Sequence, residues 1–226
     1  MSGTCVVLAV KPFNDAKERL ATGLDPAARR RIAEAMVQDV LAALTRCSAV
    51  DHVVLVTTEP SLAEAPVDAV LADPAIGHSE AATVGANWAI EHGCDMVAMI
   101  PGDCPLLDSA ELDALLLRCR EQNIDVAVVP DRMGTGTNTL VLTPPDAITP
   151  AFGPDSRERH TALATAAGRR TEVIEVPTLA LDLDTADDLA ELAERIAAGG
   201  HQAINTEQVV GELMTNRFGL PGGFAR

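Results

Sequence analysis

The chain has 226 residues, of which 33 are acidic and 17 basic, for a formal charge of −16, and 47% are apolar. That length and apolar content suit one α/β domain whose core needs neither disulfides nor a structural metal. Aromatic residues make up only 2%, with one Trp and no Tyr, which together with the acidity argues against nucleic-acid binding, where basic surface and aromatic stacking faces are needed.

Cysteines 5, 47, 94, 104 and 119 form no CxxC pair and no zinc spacing. Their odd number and apolar neighbours predict reduced thiols in a cytoplasmic protein. The first residues lead straight into a strand pattern without a basic and apolar signal segment, and no apolar run approaches the ~20 residues of a membrane span.

Thr4 to Val10 reads as a buried strand that ends at Lys11-Pro12. The loop that follows carries Lys11, Lys17 and Arg19. Asp25-Pro26 is a helix start, with an N-cap carboxylate and proline in the first turn, and the helical spacing of Ile32, Met36, Val40 and Leu44 carries it to about Cys47. His52 to Thr58 and Ala69 to Ala72 read as strands, and Glu80 to His92 as a helix.

Met96 to Ile100 is a continuous apolar run, the pattern of a strand buried on both faces. Pro101-Gly102 stops it, leaving Asp103 just past its carboxyl end, where open α/β sheets bind ligands. Asp108 with Glu111 reads as a capping box for a helix to about Gln122.

Ile124 to Val129 and Thr139 to Leu142 read as strands flanking the polar loop Asp131 to Asn138. A helix opens at Phe152-Gly153-Pro154-Asp155-Ser156 and runs to about Ala167. Glu172 to Val176 reads as the last full strand, and Thr185 caps a helix over Ala186 to Ala198. Strand–helix alternation predicts βαβ units in a mainly parallel sheet, which becomes mixed at the two back-to-back strands. The domain is assigned to residues 1–198. Beyond Gly199-Gly200 the pattern fades into a tail, 199–226, disordered apart from a short helix near Val209 to Met214.

Three loops carry residues fit for chemistry. Lys11, Lys17 and Arg19 suit a polyphosphate, whose oxygens need several cations; ordinary surface charge is the alternative. Asp103, Asp182 and Asp184 are a candidate divalent-cation site. Asp182 and Asp184 alternate with Leu181 and Leu183, so an extended chain points both carboxylates one way, and magnesium takes a few hard oxygens and keeps water or phosphate for the rest. The alternatives are a turn aspartate at 103 and a simple helix start at 184.

Gly134 to Asn138 and Phe152 to Ser156 place small residues and a helix N-terminus where an anion could be held, or are simply two turns and a cap. His78 and His160 have no serine or cysteine partner by spacing and read as surface or helix-end histidines. No G-x-S-x-G, Walker A or dinucleotide glycine pattern occurs.

Five motifs in this order resemble the guanylyltransferases of coenzyme F-420 biosynthesis, which act on 2-phospho-L-lactate or phosphoenolpyruvate. They are Val10-Lys11-Pro12 with Lys17 and Arg19-Leu20; Pro101-Gly102-Asp103 with Pro105-Leu106; Asp131-Arg132 with Gly134 to Asn138; Phe152 to Ser156 with Arg159-His160; and Leu181 to Thr185. The resemblance covers about residues 5 to 198. It implies a Rossmann-like nucleotidyltransferase fold of the glycosyltransferase-A type.

It also implies magnesium on Asp103, Asp182 and Asp184, and GTP phosphates near Lys11, Lys17 and Arg19. The phosphorylated acid would be held by Thr137, Gly153 and Ser156, and catalysis would centre on Lys17 and Asp103. A downstream transferase would take the labile product, and homodimerisation is left open. The chain departs from the family at Gly77-His78-Ser79, where Gly-Leu-Asn is usual, and at Cys104, where Leu is common. Cys104 is therefore a candidate contact to the acid, and 3-phospho-D-glycerate joins the candidate substrates. Molybdopterin and sugar-phosphate nucleotidyltransferases share the fold but carry a glycine-rich loop where this chain has Val10-Lys11-Pro12-Phe13; a nucleotide-binding module without activity is the remaining alternative.

Overall fold

The apolar runs align as one seven-stranded sheet in the computed structural model, which describes residues 3–17, 20 and 24–218. The strands are β1 (Thr4–Val10), β2 (His52–Thr57), β3 (Ala69–Leu71), β4 (Met96–Pro101), β5 (Val126–Pro130), β6 (Thr137–Leu142) and β7 (Thr171–Val173), in the spatial order β3-β2-β1-β4-β6-β5-β7. All neighbouring pairs are parallel except those of β6, which runs antiparallel to β4 and β5. The expected mixed, mainly parallel sheet is therefore present, and its reversal lies at the predicted back-to-back strands.

From β1 the chain steps outward through β2 to β3, then returns to place β4 on the other side of β1. The loops after β1 and β4 thus diverge from neighbouring strands and leave a crevice at their carboxyl ends. That topology brings the Lys11 and Asp103 loops together.

Helices α1 (Pro26–Leu44), α2 (His78–Glu91), α3 (Ser109–Glu121) and α4 (Ser156–Ala166) flank the sheet, and α5 (Ala186–Ala198) packs in a separate cluster with α1. One face of the sheet buries Val6, Leu8, Ala98 and Ile100 with residues of α1 and α3. The other buries Cys5, Val7, Val97 and Met99 with residues of α2 and with Ala164 of α4. The alternation along β1 and β4 assigns each side chain to its face, while burial on both faces explains why these strands read as unbroken apolar runs.

Three local expectations are corrected. Asp108 caps α3, accepting from the Ala110 and Glu111 amides. Glu111 does not reciprocate; its carboxylate instead accepts from the Thr178 amide and hydroxyl, at 3.2 and 2.8 Å. A tertiary partner outcompetes the local box. The last strand is short, only Thr171–Val173, because β7 is an edge strand paired with β5 alone. Beyond Gly199 the chain forms α6 (Ile204–Phe218), longer than the short helix expected there.

Ala203, Val209 and Val210 are buried with Ile32, Ala35 and Met36 of α1 and Leu189, Leu192 and Ile196 of α5. The buried carboxylate of Asp39 on α1 accepts from the Asn205 and Thr206 amides and the Asn205 side-chain amide, at 3.1, 2.7 and 2.8 Å. These donors belong to the first turn of α6, and Asp39 gives the Asn205 and Thr206 amides the partners that a helix start lacks within itself.

Candidate active site

A cavity of about 750 Å³ opens at the carboxyl ends of β1 and β4 and runs under the loop between β5 and β6. Lys11, Lys17, His78, Asp103, Thr137, Asn138, Gly153, Ser156, Asp182 and Asp184 all line it. The sequence had scattered these over most of the chain.

Lys17 is the centre of its charge distribution. Its side chain is 6% exposed, and its ammonium is ion-paired with Asp103 and, at 3.2 Å, with Asp184. Burial alone would lower its pKa, but the two carboxylates outweigh this and raise it, so the lysine is charged. Its backbone is in the left-handed region, with φ 60°, a conformation that a residue with a side chain adopts at a cost of about 1–2 kcal/mol. Lys11 is exposed at the cavity rim. Arg19 lies outside the described residues.

Asp103 and the Leu181–Asp184 segment meet because the Leu183 amide donates to the Asp103 carbonyl, at 3.3 Å. Leu181 and Leu183 are buried and Asp182 and Asp184 half-buried, the expected alternation. The leucines are held in the cluster that α5 and α6 complete. Burial, then the nearby Asp103 carboxylate, pushes the pKa of Asp182 up to about 6. The Asn138 side-chain amide donates to it at 3.2 Å and to the Leu179 carbonyl at 2.9 Å.

The donor chemistry fits magnesium. Three carboxylates supply hard oxygens, and Asp182 is a partly buried carboxylate beside Asp103, a charge that a cation would offset. Among the described residues no three potential ligands already form a closed metal cage. Such a site takes one or two carboxylates and leaves the other positions to water or phosphate.

The opposite wall is small and polar. Thr137 begins β6, and its Oγ1 lies 3.0 Å from His160 Nδ1. Gly153 has φ +114°, a backbone region that glycine alone enters easily. Ser156 is the first residue of α4, where the helix dipole favours an anion, although the Ser156 and Arg157 amides already donate to the Gly153 and Thr135 carbonyls, at 3.1 and 3.2 Å.

Cys104 is the misplaced expectation. It is fully buried and does not line the cavity; its thiol faces the Leu179 carbonyl at 3.5 Å, behind Asn138. The residue that follows Asp103 turns into the core, so its difference from leucine is a packing difference. Gly102 is needed for space rather than backbone freedom: a Cβ there would lie 3.1 Å from Val37 and 3.2 Å from Val10.

The histidines were underestimated. His78 lines the cavity and meets the Phe152 ring edge-on, with centroids 4.7 Å apart, while Ser79 accepts from the Phe152 amide at 2.9 Å. His160 is completely buried. Asn138 was missed as a contributor. Its signal was present, since Thr137-Asn138 closes the polar loop directly before an apolar strand.

A family model described as guanylyl transferase, CofC-like, matches residues 4–206. The chain belongs to this family. Members similar to it include a phosphoenolpyruvate guanylyltransferase of Conexibacter woesei, 46% identical over 215 residues that cover 93% of this chain and 96% of that protein. Another is the phosphoenolpyruvate guanylyltransferase of Sphaerobacter thermophilus, 38% identical over 199 residues, covering 87% of this chain and 95% of that protein.

Among solved structures, one from Desulfovibrio desulfuricans described as a nucleotide-diphospho-sugar transferase superimposes with a TM-score of 0.76 at 19% identity, covering 96% of this chain and 98% of that one. A 4-diphosphocytidyl-2C-methyl-D-erythritol synthase follows at 0.61 and 15%, covering 88% of this chain and 100% of that one. At such identities these two establish the fold. This CofC-like chain is thus a nucleotidyltransferase by family, and its fold is the one these two structures share.

Proposed function

We propose that this enzyme joins the guanylyl group of GTP to the phosphate of a small phosphorylated carboxylic acid and releases pyrophosphate, as a step in coenzyme F-420 biosynthesis. Phosphoenolpyruvate is the preferred acid, because the similar family members carry that substrate in their names; 2-phospho-L-lactate and 3-phospho-D-glycerate are the competitors. The observation that carries the reading is one cavity with two unlike walls: charged Lys17 among three aspartates on one side, and Thr137, Gly153 and the α4 N-terminus on the other. The first wall suits a triphosphate, the second a small anion.

In the reaction an oxygen of the acid's phosphate attacks the α-phosphorus of GTP. A new P–O bond forms, the α–β anhydride bond breaks, and pyrophosphate leaves with the bonding electrons. A phosphate ester is largely dianionic at neutral pH, so no general base is needed. Lys17, Lys11 and Arg19 would hold the GTP phosphates, and Thr137, Gly153 and Ser156 would align the acid, so that catalysis consists of positioning and charge neutralisation. Magnesium would be held by Asp103, Asp182 and Asp184, and when bound supplies charge neutralisation at the phosphates. The five free thiols support a cytoplasmic location.

The test is pyrophosphate release with GTP and magnesium, offering the three acids separately, with a downstream transferase present to consume a labile product. Release with one acid names the substrate. Release only with another nucleotide and acceptor would keep the fold and overturn the assignment.

A further inference from the structure

His160 projects from α4 one turn beyond Ser156, on the same face, and is wholly buried. Its two ring nitrogens have different partners. The Ala151 amide donates to Nε2 at 2.9 Å, and Nδ1 lies 3.0 Å from Thr137 Oγ1. A backbone N–H can only donate, so Nε2 is an acceptor and a neutral ring must carry its proton on Nδ1. That proton points at Thr137. The threonine oxygen is therefore the acceptor, and the hydroxyl hydrogen is turned away from the histidine.

We infer that His160 is a positioning residue that sets the polarity of Thr137, leaving its hydroxyl proton to be donated to an anionic oxygen of the acid in the cavity. The inference rests on the reading above, in which Thr137 meets the acid. With the opposite tautomer Nδ1 would take the threonine proton, and the hydroxyl would present lone pairs to an anion.

The same ring ties the loop before Gly153 to β6, so the two parts of the small-anion wall are fixed against each other. Phe152 supports this from the side, meeting the His160 ring edge-on with centroids 5.1 Å apart. The ring also stays neutral: burial, with a smaller push from Arg159, lowers its pKa to about 4.

The inference is tested by two substitutions that separate the nitrogens. His160→Asn can place an amide N–H near Nδ1 and so still donate to Thr137. His160→Gln can place its oxygen near Nε2 and so satisfy Ala151, but leaves Thr137 without its donor. The expected result is a KM for the acid raised about tenfold in His160→Gln and less than about threefold in His160→Asn, with the KM for GTP unchanged in both. Thr137→Val should raise the same KM, and combining it with His160→Gln should add little further.

Equal KM increases in the two His160 variants would mean a purely structural role and would overturn the inference, as would an unchanged KM in a folded His160→Gln protein. Long-range ¹H–¹⁵N spectra of the unmodified enzyme, without substrate, read the tautomer directly, with the His160→Gln spectrum providing the assignment. A ring protonated on Nε2 would overturn the inference even if the variants failed to fold. Absence of turnover by the unmodified enzyme with every acid would instead count against the proposed reaction, and the tautomer would then decide the inference by itself.

Discussion

Lys17 and Asp103 act as a pair, because the lysine is too buried to be left alone with its charge. The 6% exposed ammonium sits among Asp103 and Asp184, and removing either partner changes both the charge and the hydrogen bonding of the cavity. Asp103→Asn keeps the shape of the side chain and removes its charge. It should lower the rate of pyrophosphate release by about a thousandfold and leave the far-UV circular dichroism unchanged; a variant retaining a tenth of the activity would sink the assignment.

Glu59 supports the same loop from below. Burial would raise its pKa, but hydrogen bonds from the Phe13 amide, from the Ser61 hydroxyl and amide and from Arg30 win, and hold it at about 2. A carboxylate depressed from 4.5 contributes stability above pH 4.5 and loses it as pH falls toward 2, an effect of at most about 3 kcal/mol. The urea midpoint of Glu59→Gln should therefore lie below that of the unmodified protein at pH 6, and the gap should narrow as the pH falls below 4.5 and close only toward pH 2.

At the scale of elements, close packing decides two positions. Gly85 in α2 lies so near β1 that a Cβ would come within 2.3 Å of Val7 Cγ1. Alanine would gain helix propensity of up to about 1 kcal/mol, but a β-branched valine in a filled core cannot move away. Gly85→Ala should thus be destabilising by about 1–3 kcal/mol, read as a lower melting temperature; an unchanged or higher one would show that α2 can lift off the sheet.

Asp39 is the second case. Its carboxylate receives three donors from the start of α6, and Asp39→Ala would leave the buried Thr206 amide without a partner. The loss of such a cap costs about 1–2 kcal/mol. Hydrogen exchange should accelerate through residues 204–218 before it does in β1 or β4. Because α6 completes the cluster that holds Leu181 and Leu183, a modest loss of turnover should accompany it.

For the whole molecule, the cavity concentrates charge in a protein that is already strongly acidic. With a net charge of −16, a triphosphate is repelled at long range unless local cations and magnesium overcome the field. Chelation should accordingly abolish pyrophosphate release while leaving the melting temperature of the ligand-free protein unchanged, since the core is complete without a metal. Full activity in excess chelator would exclude the assigned role for Asp103, Asp182 and Asp184.

The sequence by itself determined the strands and helices whose patterns are strong: β1 as Thr4–Val10, α5 as Ala186–Ala198, and the Asp103 turn after β4. Their cause is local, in apolar runs, caps and proline. It also determined which carboxylates alternate with leucines, since a two-residue period follows from backbone geometry. Only the tertiary structure decided where Glu111 spends its carboxylate, that Cys104 turns inward, and that α6 docks on α1. Each is a choice between partners far apart in the chain.

His160 makes the point most clearly. By spacing it is an unpaired histidine on a helix; in the folded chain two strand-and-loop partners from 9 and 23 residues away meet its two nitrogens. A side chain's chemistry depends on which atoms reach it, and those atoms are chosen by packing at distances that sequence patterns do not encode.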